Sequence, residues 1–216
     1  MGSQTGKKEI LIFGSRACSD WSFLREAALS PDLVIAADGG LSCAREAGFV
    51  PDYYIGDGDS GGEAGHTEKE IILPCEKDLT DLQAAYETSR ELGADEVIFT
   101  ACTGGRQDHH LAALQLLETA ANQGVHARIL DPCNCIEVLL PGHYFVSRDG
   151  YRYFSLIPID RILSGVEISG AKYSLAGRDV RRGDSLTVSN EWVDGPAEIS
   201  FTGGLCFLIR SRDFEK

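Results

Sequence analysis

The segment IGDGDSGG, residues 55–62, contains two aspartates separated by a single glycine. Two carboxylates this close repel each other unless a cation lies between them. Asp57 and Asp59 offer the oxygen ligands that Mg²⁺ and Ca²⁺ prefer, and the glycines let a phosphate approach the backbone. Asp, Gly and Ser are also ordinary residues of surface turns, so the segment alone leaves both interpretations open.

Three other polar segments follow apolar runs in the same way. Asp38-Gly39-Gly40 follows DLVIAA, residues 77–81 (KDLTD) follow IILPC, and residues 103–109 (TGGRQDH) follow DEVIFTA. In open α/β sheets, ligands bind beyond the carboxyl ends of the strands. We therefore expect these segments to meet at one rim of a sheet. Carboxylates there would bind cations, glycine backbone would approach phosphate oxygens, and an arginine would balance charge, which favours a polyphosphate site.

The elements that position these segments alternate along the chain. Helices are predicted at WSFLREAAL, LSCAREAG, Leu82 to Leu92, and QDHHLAALQLLETAANQG. Thr80 and Gln83 have the spacing of a capping box before the third of these helices. Alternating strands and helices predict a mostly parallel sheet with helices on both faces. The predicted strands are EILIF, DLVIAA, DYYIGD, EIILPC, DEVIFTA, HARILD and CIEVLL.

The pattern changes after about Pro141, where no helical period remains. YRYFSLIPI, SGVEISGA, DSLTVSNEW, AEISFTGG and LCFLIRS are short strand candidates separated by Gly, Asp and Pro turns. Such a series predicts an all-β sandwich or barrel. We therefore expect an α/β domain over residues 1–140 and a β-rich domain over residues 141–216.

The net charge and the distribution of apolar residues limit the kinds of molecule that the protein is expected to bind. The 216 residues carry a net charge of −13, which argues against nucleic acid and favours cations, so a polyphosphate would need metal ions to enter. No apolar run approaches the roughly 20 residues that span a bilayer, and the first residues lack the features of a signal peptide. We expect a cytoplasmic protein without a membrane partner. The seven scattered cysteines are interpreted as reduced thiols.

The ordered motifs ADGG, GDGDS, KDLTD and TGGRQDH, followed by a β-rich part that contains SNE, resemble those of thiamine pyrophosphokinases. The resemblance implies an N-terminal α/β domain that binds ATP and a C-terminal β domain that binds thiamine. It also implies a homodimer whose active sites are shared between subunits. The implied reaction transfers pyrophosphate from ATP to thiamine, with Mg²⁺, and gives thiamine diphosphate and AMP.

The resemblance also implies roles for individual residues. Asp57, Asp59 and Asp81 would bind Mg²⁺ and the triphosphate and, with Arg106, would be catalytic. The nucleotide side would be formed by Asp38, Gly39, Gly40, Asp78, Thr80, Thr103, Gly104, Gly105, Asp108 and His109. Thiamine would be contacted by Tyr173, Ser189, Asn190 and Glu191.

Two other functions remain open from the residues alone. A Mg²⁺-dependent phosphohydrolase could use Asp57 of the D-x-D as a nucleophile, although such enzymes place this motif after the first strand and not the third. A calcium-binding module could use Asp57, Asp59 and Glu68, which together with Gly62 fall at positions 1, 3, 12 and 6 of an EF-hand loop. Gly61 stands where that loop needs an oxygen ligand, and the preceding segment DYYIG has the pattern of a strand.

Overall fold

The structure is a computed structural model that describes residues 7–56, 69–72 and 79–213. Three of the residues predicted to bind metal or nucleotide, Asp57, Asp59 and Asp78, lie outside the described residues. The contacts within the chain divide it into two units, one ending at Pro132 and the other beginning at Cys133. In the part of the chain that the structure describes, no helix is long and apolar enough to span a membrane.

The first unit is built on a parallel sheet. Its strands are β1 (Glu9–Phe13), β2 (Leu33–Ala37), β3 (Tyr53–Gly56), β4 (Lys69–Ile72), β5 (Glu96–Thr100) and β6 (His126–Leu130), in the order β4-β3-β2-β1-β5-β6. All pairings between these strands are parallel. β1, β2 and β5 each end in four consecutive buried residues, the pattern of strands covered on both faces. The strand order reverses between β1 and β5, which is where ligands bind in such sheets.

Four helices accompany this sheet in the described residues: α1 (Ser22–Glu26), α2 (Gly40–Glu46), α3 (Asp81–Glu91) and α4 (Gln107–Asn122). α3 begins where the sequence predicts, because the Thr80 hydroxyl accepts a hydrogen bond of 3.2 Å from the Gln83 N–H. α3 packs on β1, β2 and β3, and α4 packs on β6. α1 is shorter than WSFLREAAL, because the chain turns at Ala28 with a φ of 49°.

The second unit is all β. β7 (Asn134–Leu139) and β9 (Tyr153–Pro158) both pair antiparallel with β13 (Cys206–Ser211). β8 (Gly142–Val146), β10 (Ile162–Ser169), β11 (Leu175–Arg181) and β12 (Ala197–Phe201) form an antiparallel sheet in the order β11-β10-β12-β8. One apolar core joins the two groups of strands and contains Leu156, Leu208, Val166 and Ile199. The predicted architecture, a mostly parallel α/β part followed by a β domain, is confirmed.

One predicted strand is wrong. DSLTVSNEW, residues 184–192, forms a loop with only isolated bridges at Asn190 and Trp192. Ser189 has a φ of 57°, which a strand does not accommodate. The Thr187 hydroxyl donates a hydrogen bond of 2.6 Å to the Leu156 carbonyl, so a side chain replaces part of a strand's backbone pairing.

Candidate active site

An open cleft of about 440 Å³ lies in the first unit, at the carboxyl ends of β1, β2 and β5. Four segments meet there: the turn after β1, the turn after β2, the start of α3, and the loop between β5 and α4. The charged residues on its walls are Arg16, Asp38, Asp81 and Arg106. The first turns of α4 and the start of α3 add a less polar wall. That wall contains Leu82, Ala112, Ala113 and Leu116.

The turn after β1 is attached to the end of β5. The Gly14 N–H donates a hydrogen bond to the Thr100 carbonyl, and the Arg16 N–H donates one to the Ala101 carbonyl, both at 2.8 Å. A Cβ at position 14 would lie 2.6 Å from the Ala101 oxygen, so only glycine fits this approach. The segments that follow β1 and β5 are thereby held next to each other at the point where the strand order reverses.

The Asp-Gly-Gly turn after β2 places a carboxylate in the cleft. The Asp38 N–H donates a hydrogen bond of 2.8 Å to the Ile55 carbonyl, and Asp38 has a φ of 51°. A Cβ at Gly40 would lie 2.2 Å from the Phe13 oxygen, which explains why glycine is needed there. The glycines of this motif therefore let α2 begin against β1, and Asp38 is the member that lines the cleft.

The start of α3 supplies Asp81. Thr80, Asp81 and Leu82 all line the cleft, and Asp81 occupies the first turn of the helix. A carboxylate in this position is stabilised by the partial positive charge of the helix N-terminus. Thr80 uses its hydroxyl as the acceptor that caps the helix, so its role in the described structure is to fix where α3, and with it Asp81, begins.

The loop before α4 contains two consecutive glycines with left-handed backbone. Gly104 has a φ of 75° and Gly105 a φ of 66°. The Gly104 N–H donates a hydrogen bond of 2.9 Å to Nδ1 of His110, so this ring nitrogen is the acceptor. His109 lines the cleft beside them. The loop thus has no side chain at these two positions, which would let phosphate oxygens approach its backbone.

Arg106 and Asp108 form a pair at the start of α4. Arg106 Nη2 donates to Asp108 Oδ2 at 2.6 Å, and Arg106 Nε donates to Asp108 Oδ1 at 3.2 Å. Asp108 Oδ1 also accepts from the His109 N–H at 2.9 Å. The hydrogen bond from Arg106 is the main cause that lowers the pKa of Asp108 to about 2. Both side chains are exposed, so the pair orients the guanidinium without adding much stability.

Thr103 and Cys102 have local roles in the described structure. The Thr103 hydroxyl donates a hydrogen bond of 3.0 Å to Asp131 Oδ2, and Thr103 is not among the residues that line the cleft. Cys102 does line it, but burial raises the pKa of its thiol to about 12. A neutral thiol is a poor nucleophile, so covalent catalysis through Cys102 is not supported.

The donors in the cleft suit a hard cation. Asp38 and Asp81 bring carboxylates to the same space, and carboxylate oxygens are the ligands that Mg²⁺ prefers. In residues 7–56, 69–72 and 79–213 no group of three or more metal-binding side chains occurs. β3 ends at Gly56, where a Cβ would lie 3.3 Å from the Asp38 Cα. Asp57 is the next residue in the sequence, and the pair Asp57 and Asp59 stays a prediction.

The residues predicted to contact thiamine lie in the second unit. Asn190 is buried, and its amide makes three hydrogen bonds to backbone groups. Asn190 Oδ1 accepts hydrogen bonds from the N–H groups of Tyr173 and Glu191, both at 3.0 Å, and Nδ2 donates to the Tyr173 carbonyl at 2.8 Å. Asn190 therefore holds these two neighbours in place, and a direct contact with a ligand would require it to give up one of these bonds.

Tyr173 and Glu191 flank a lysine. Lys172 Nζ lies 2.6 Å from Glu191 Oε1 and 5.6 Å from the centre of the Tyr173 ring. Tyr173 is 56% exposed, so its side chain is accessible to a ligand. The hydrogen bond from Lys172 is the main cause that lowers the pKa of the Glu191 carboxyl. Ser189 precedes this group, and its N–H donates to the Ser155 hydroxyl at 2.9 Å.

Models of known protein families match both units of the chain. Residues 24–129 match the model of the thiamin pyrophosphokinase catalytic domain, and residues 143–206 match the model of the thiamin pyrophosphokinase vitamin B1 binding domain. A thiamine pyrophosphokinase of Bacillus subtilis is 33% identical over 188 residues, which cover 84% of this chain and 88% of that protein. The chain belongs to the thiamine pyrophosphokinase family.

Solved structures of the family have the same fold. A thiamine pyrophosphokinase from Bacillus subtilis has a TM-score of 0.86 at 29% identity, over 96% of this chain and all of that one. A thiamin pyrophosphokinase family protein from Enterococcus faecalis has a TM-score of 0.83 at 28% identity, over 97% of this chain and all of that one. The family and the enzyme class predicted from the motifs are confirmed, and the phosphohydrolase and calcium-binding alternatives are set aside.

The thiamine pyrophosphokinase motifs did not include the turn after β1. Gly14, Ser15 and Arg16 line the cleft, although none of those motifs contains them. The available signal was their position, directly after the first strand of a predicted parallel sheet, where ligands bind. Of these three residues Arg16 matters most, because it brings a second guanidinium group to the cleft.

Proposed function

We propose that this protein transfers the pyrophosphoryl group of ATP to the hydroxyl of thiamine, giving thiamine diphosphate and AMP. The observation that carries the proposal is the cleft at the β1/β5 switch point, which is lined by Asp38, Asp81, Arg16 and Arg106 together with Gly104 and Gly105. Family membership supplies the reaction and the substrates. The cleft supplies carboxylates for a cation, guanidinium groups for phosphates and bare glycine backbone between them.

The apolar and charged parts of the cleft lining favour one orientation of the nucleotide. The wall formed by Leu82, Ala112, Ala113 and Leu116 is apolar and suits a planar base. The polar end, with Arg106 and the glycine loop, suits the phosphate chain. Asp81 and Asp38, together with Asp57 and Asp59, would hold Mg²⁺. When bound, Mg²⁺ would neutralise phosphate charge and help position the triphosphate.

The residues of the chain contribute mainly position and charge. The thiamine hydroxyl attacks the β-phosphorus, the bond from this phosphorus to the α–β bridging oxygen breaks, and AMP leaves with that oxygen. Arg106, oriented by Asp108, would stabilise negative charge that develops on the phosphate oxygens. A carboxylate at the start of α3 would accept the hydroxyl proton, since Asp81 lines the cleft.

Thiamine is a cation with two aromatic rings, and the second unit offers matching groups. Tyr173 has an exposed ring and Glu191 a carboxylate, and both are held by Asn190. A cation over an aromatic face and beside a carboxylate is favourable. We include in the proposal a cytoplasmic homodimer in which Tyr173, Ser189, Asn190 and Glu191 of one subunit serve the nucleotide cleft of the other, as the family resemblance implies.

The central test is product identity. The protein is incubated with ATP, Mg²⁺ and thiamine, and nucleotide and thiamine products are separated and quantified. We expect AMP and thiamine diphosphate in equal amounts, and neither when thiamine is omitted. ADP with thiamine monophosphate, or phosphate release that does not depend on thiamine, would refute the proposal.

Subunit exchange tests the shared sites. Asp81→Asn and an Asn190→Ala, Glu191→Ala double variant are each expected to be nearly inactive alone. If sites are shared, each mixed dimer has one site without lesions, so full exchange restores about a quarter of wild-type activity. No recovery in samples that demonstrably contain mixed dimers would show that each site is built within one chain.

A further inference from the structure

The backbone at Arg16 is held in place by hydrogen bonds to residues at the end of β5. Its own N–H donates to the Ala101 carbonyl at 2.8 Å, and Gly14, two residues earlier, donates to Thr100 at the same distance. These bonds join the turn after β1 to the end of β5. The base of the Arg16 side chain is therefore positioned by the sheet, although the side chain itself is exposed.

The Arg16 side chain lies along the glycine loop before α4. A Cβ added to Gly105 would lie 3.4 Å from Arg16 Nη1 and 3.7 Å from Arg16 Cδ. A Cβ added to Gly104 would lie 3.9 Å from Arg16 Nε. The guanidinium thus lies against Gly104 and Gly105, and a methyl group at either position would be in van der Waals contact with it.

The two arginines of the cleft differ in what their charge already contacts. Arg106 gives two hydrogen bonds to Asp108, so its charge is largely balanced by that carboxylate. Within the described residues, the Arg16 guanidinium makes no ion pair and no side-chain hydrogen bond. Arg16 consequently has its planar set of donors available for another anion in the cleft.

We infer that Arg16 binds the β- and γ-phosphates of the nucleotide, the group that is transferred. The inference rests on the proposed function, because that function defines the ligand of the cleft. A guanidinium binds phosphate through paired, charge-assisted hydrogen bonds, and a lysine offers only a point charge. Arg16 would approach the phosphates from the β1 side, and Arg106 from the α4 side. The absence of side chains on Gly104 and Gly105 leaves room for the Arg16 side chain beside them.

The test uses three variants of the full-length protein. Arg16→Ala removes the guanidinium, Arg16→Lys keeps the charge without the planar fork, and Arg45→Ala is the matched control. Arg45 is exposed in the last turn of α2 and does not line the cleft, so its removal changes the net charge by the same amount. Binding of AMP, ATP and inorganic tripolyphosphate is measured by calorimetry in Mg²⁺ buffer, together with kcat and KM for ATP and the melting temperature.

We expect Arg16→Ala to weaken binding of ATP and tripolyphosphate by about 10- to 100-fold and to change AMP binding by less than about threefold. Arg16→Lys should be intermediate, and Arg45→Ala should stay within about twofold of wild type. All variants should melt near the wild-type temperature. If Arg16→Ala binds tripolyphosphate and ATP as Arg45→Ala does, the inference is wrong. A loss confined to AMP would also overturn it, because Arg16 would then serve the α-phosphate or the nucleoside.

The outcomes separate this inference from the proposed function. A wild-type protein that makes thiamine diphosphate, with an Arg16→Ala variant that is indistinguishable from Arg45→Ala, refutes only the role of Arg16. A wild-type protein that makes no thiamine diphosphate, but loses tripolyphosphate binding on Arg16→Ala, refutes the proposed function and leaves a polyphosphate site that contains Arg16.

Discussion

The side-chain amide of Asn190 pairs with the backbone of Tyr173 at both its N–H, 3.0 Å from Oδ1, and its carbonyl, 2.8 Å from Nδ2. The same oxygen accepts from the Glu191 N–H. One buried side chain therefore sets the backbone of both an exposed aromatic ring and a carboxylate. In the proposed reaction Asn190 acts as a positioning residue for the thiamine side.

Replacing Asn190 with alanine should reduce both stability and thiamine affinity. The substitution leaves the Tyr173 N–H and carbonyl without their partner, which costs about 1–3 kcal/mol of unfolding free energy. We expect KM for thiamine to rise about tenfold, with KM for ATP within about twofold. Urea unfolding and steady-state kinetics measure both effects.

Val180→Ala is the matched control for this change, because Val180 is fully buried in the same unit and is not among the residues proposed to contact thiamine. It should cost a similar free energy of unfolding through a cavity. KM for thiamine should remain near wild type. Equal changes in thiamine KM for both variants would mean that Asn190 acts only through stability.

Lys172 occupies the position that a cationic ligand would take between Tyr173 and Glu191. Removing its charge with Lys172→Met should free both groups, and we expect KM for thiamine to fall by about two- to fivefold, the range of an exposed cation–π contact. Arg182→Met, which removes an exposed charge elsewhere in the second unit, controls for net charge. A thiamine KM that rises on Lys172→Met would instead place Lys172 among the groups that support binding.

Gly105→Ala should impair ATP binding beyond the cost of backbone strain. The added Cβ would lie 3.4 Å from Arg16 Nη1 on a residue with a φ of 66°. Gly124→Ala has similar strain, with a φ of 75°, and no atom within 4 Å of the added Cβ. Each variant should lose about 1 kcal/mol of stability. KM for ATP should rise several-fold only for Gly105→Ala, because only this methyl group lies at the cleft and contacts Arg16. Equal KM values for ATP in the two variants would show that the added methyl group does not disturb the nucleotide site.

As pH rises, the contribution of Glu9 to the free energy of unfolding should decrease and that of Glu96 should increase. They share Arg128, with Arg128 Nη2 3.7 Å from Glu9 Oε2 and 3.2 Å from Glu96 Oε1. Burial raises the pKa of Glu9, and its buried Oε1 has no hydrogen-bond partner in the described structure. The neighbouring His126 ring, whose Nδ1 lies 3.6 Å from Glu96 Oε1, is the main cause that lowers the pKa of Glu96.

The raised pKa means that the stability Glu9 contributes is present below its unfolded-state pKa and is lost as pH rises through its folded pKa. Glu96 contributes above its unfolded-state pKa and loses that contribution as pH falls through its lowered folded pKa. At pH 7 we expect Glu9→Gln to melt at or above the wild-type temperature and Glu96→Gln to melt below it. Melting curves from pH 4 to 8 test this, and a reversed order at pH 7 would refute it.

The sequence predicted the parallel sheet well, because its strands are continuous apolar runs that are followed by turn residues such as Gly and Asp. β8 and β11 were not predicted. β11 (Leu175–Arg181) lies at the edge of its sheet and buries only Val180, so its sequence has neither an apolar run nor clear alternation. Conversely, DSLTVSNEW has the alternation of a strand, but hydrogen bonds from the side chains of Thr187 and Asn190 hold it as a loop.

The sequence predicted those residues of the cleft that belong to recognisable motifs. Asp38, Asp81, Gly104, Gly105 and Arg106 line one cleft, as their positions after strands suggested. The role of Asn190 could not be read from its residue type, because an exposed amide and a buried amide have the same sequence signal. Arg16 was missed for a similar reason: its importance comes from the approach of β1 to β5, which depends on the fold and not on a local pattern.

The most direct test uses ATP labelled with ¹⁸O at the oxygen that bridges the α- and β-phosphorus atoms. Wild-type protein, Mg²⁺ and thiamine are added, and the products are analysed by mass spectrometry. Attack of the thiamine hydroxyl on the β-phosphorus predicts that all label leaves with AMP and that thiamine diphosphate is unlabelled. Asp81→Asn should give the same products about 100-fold more slowly. Label found in free pyrophosphate would show attack at the α-phosphorus, and label retained in ADP would show attack at the γ-phosphorus. Either result would contradict pyrophosphoryl transfer by this protein.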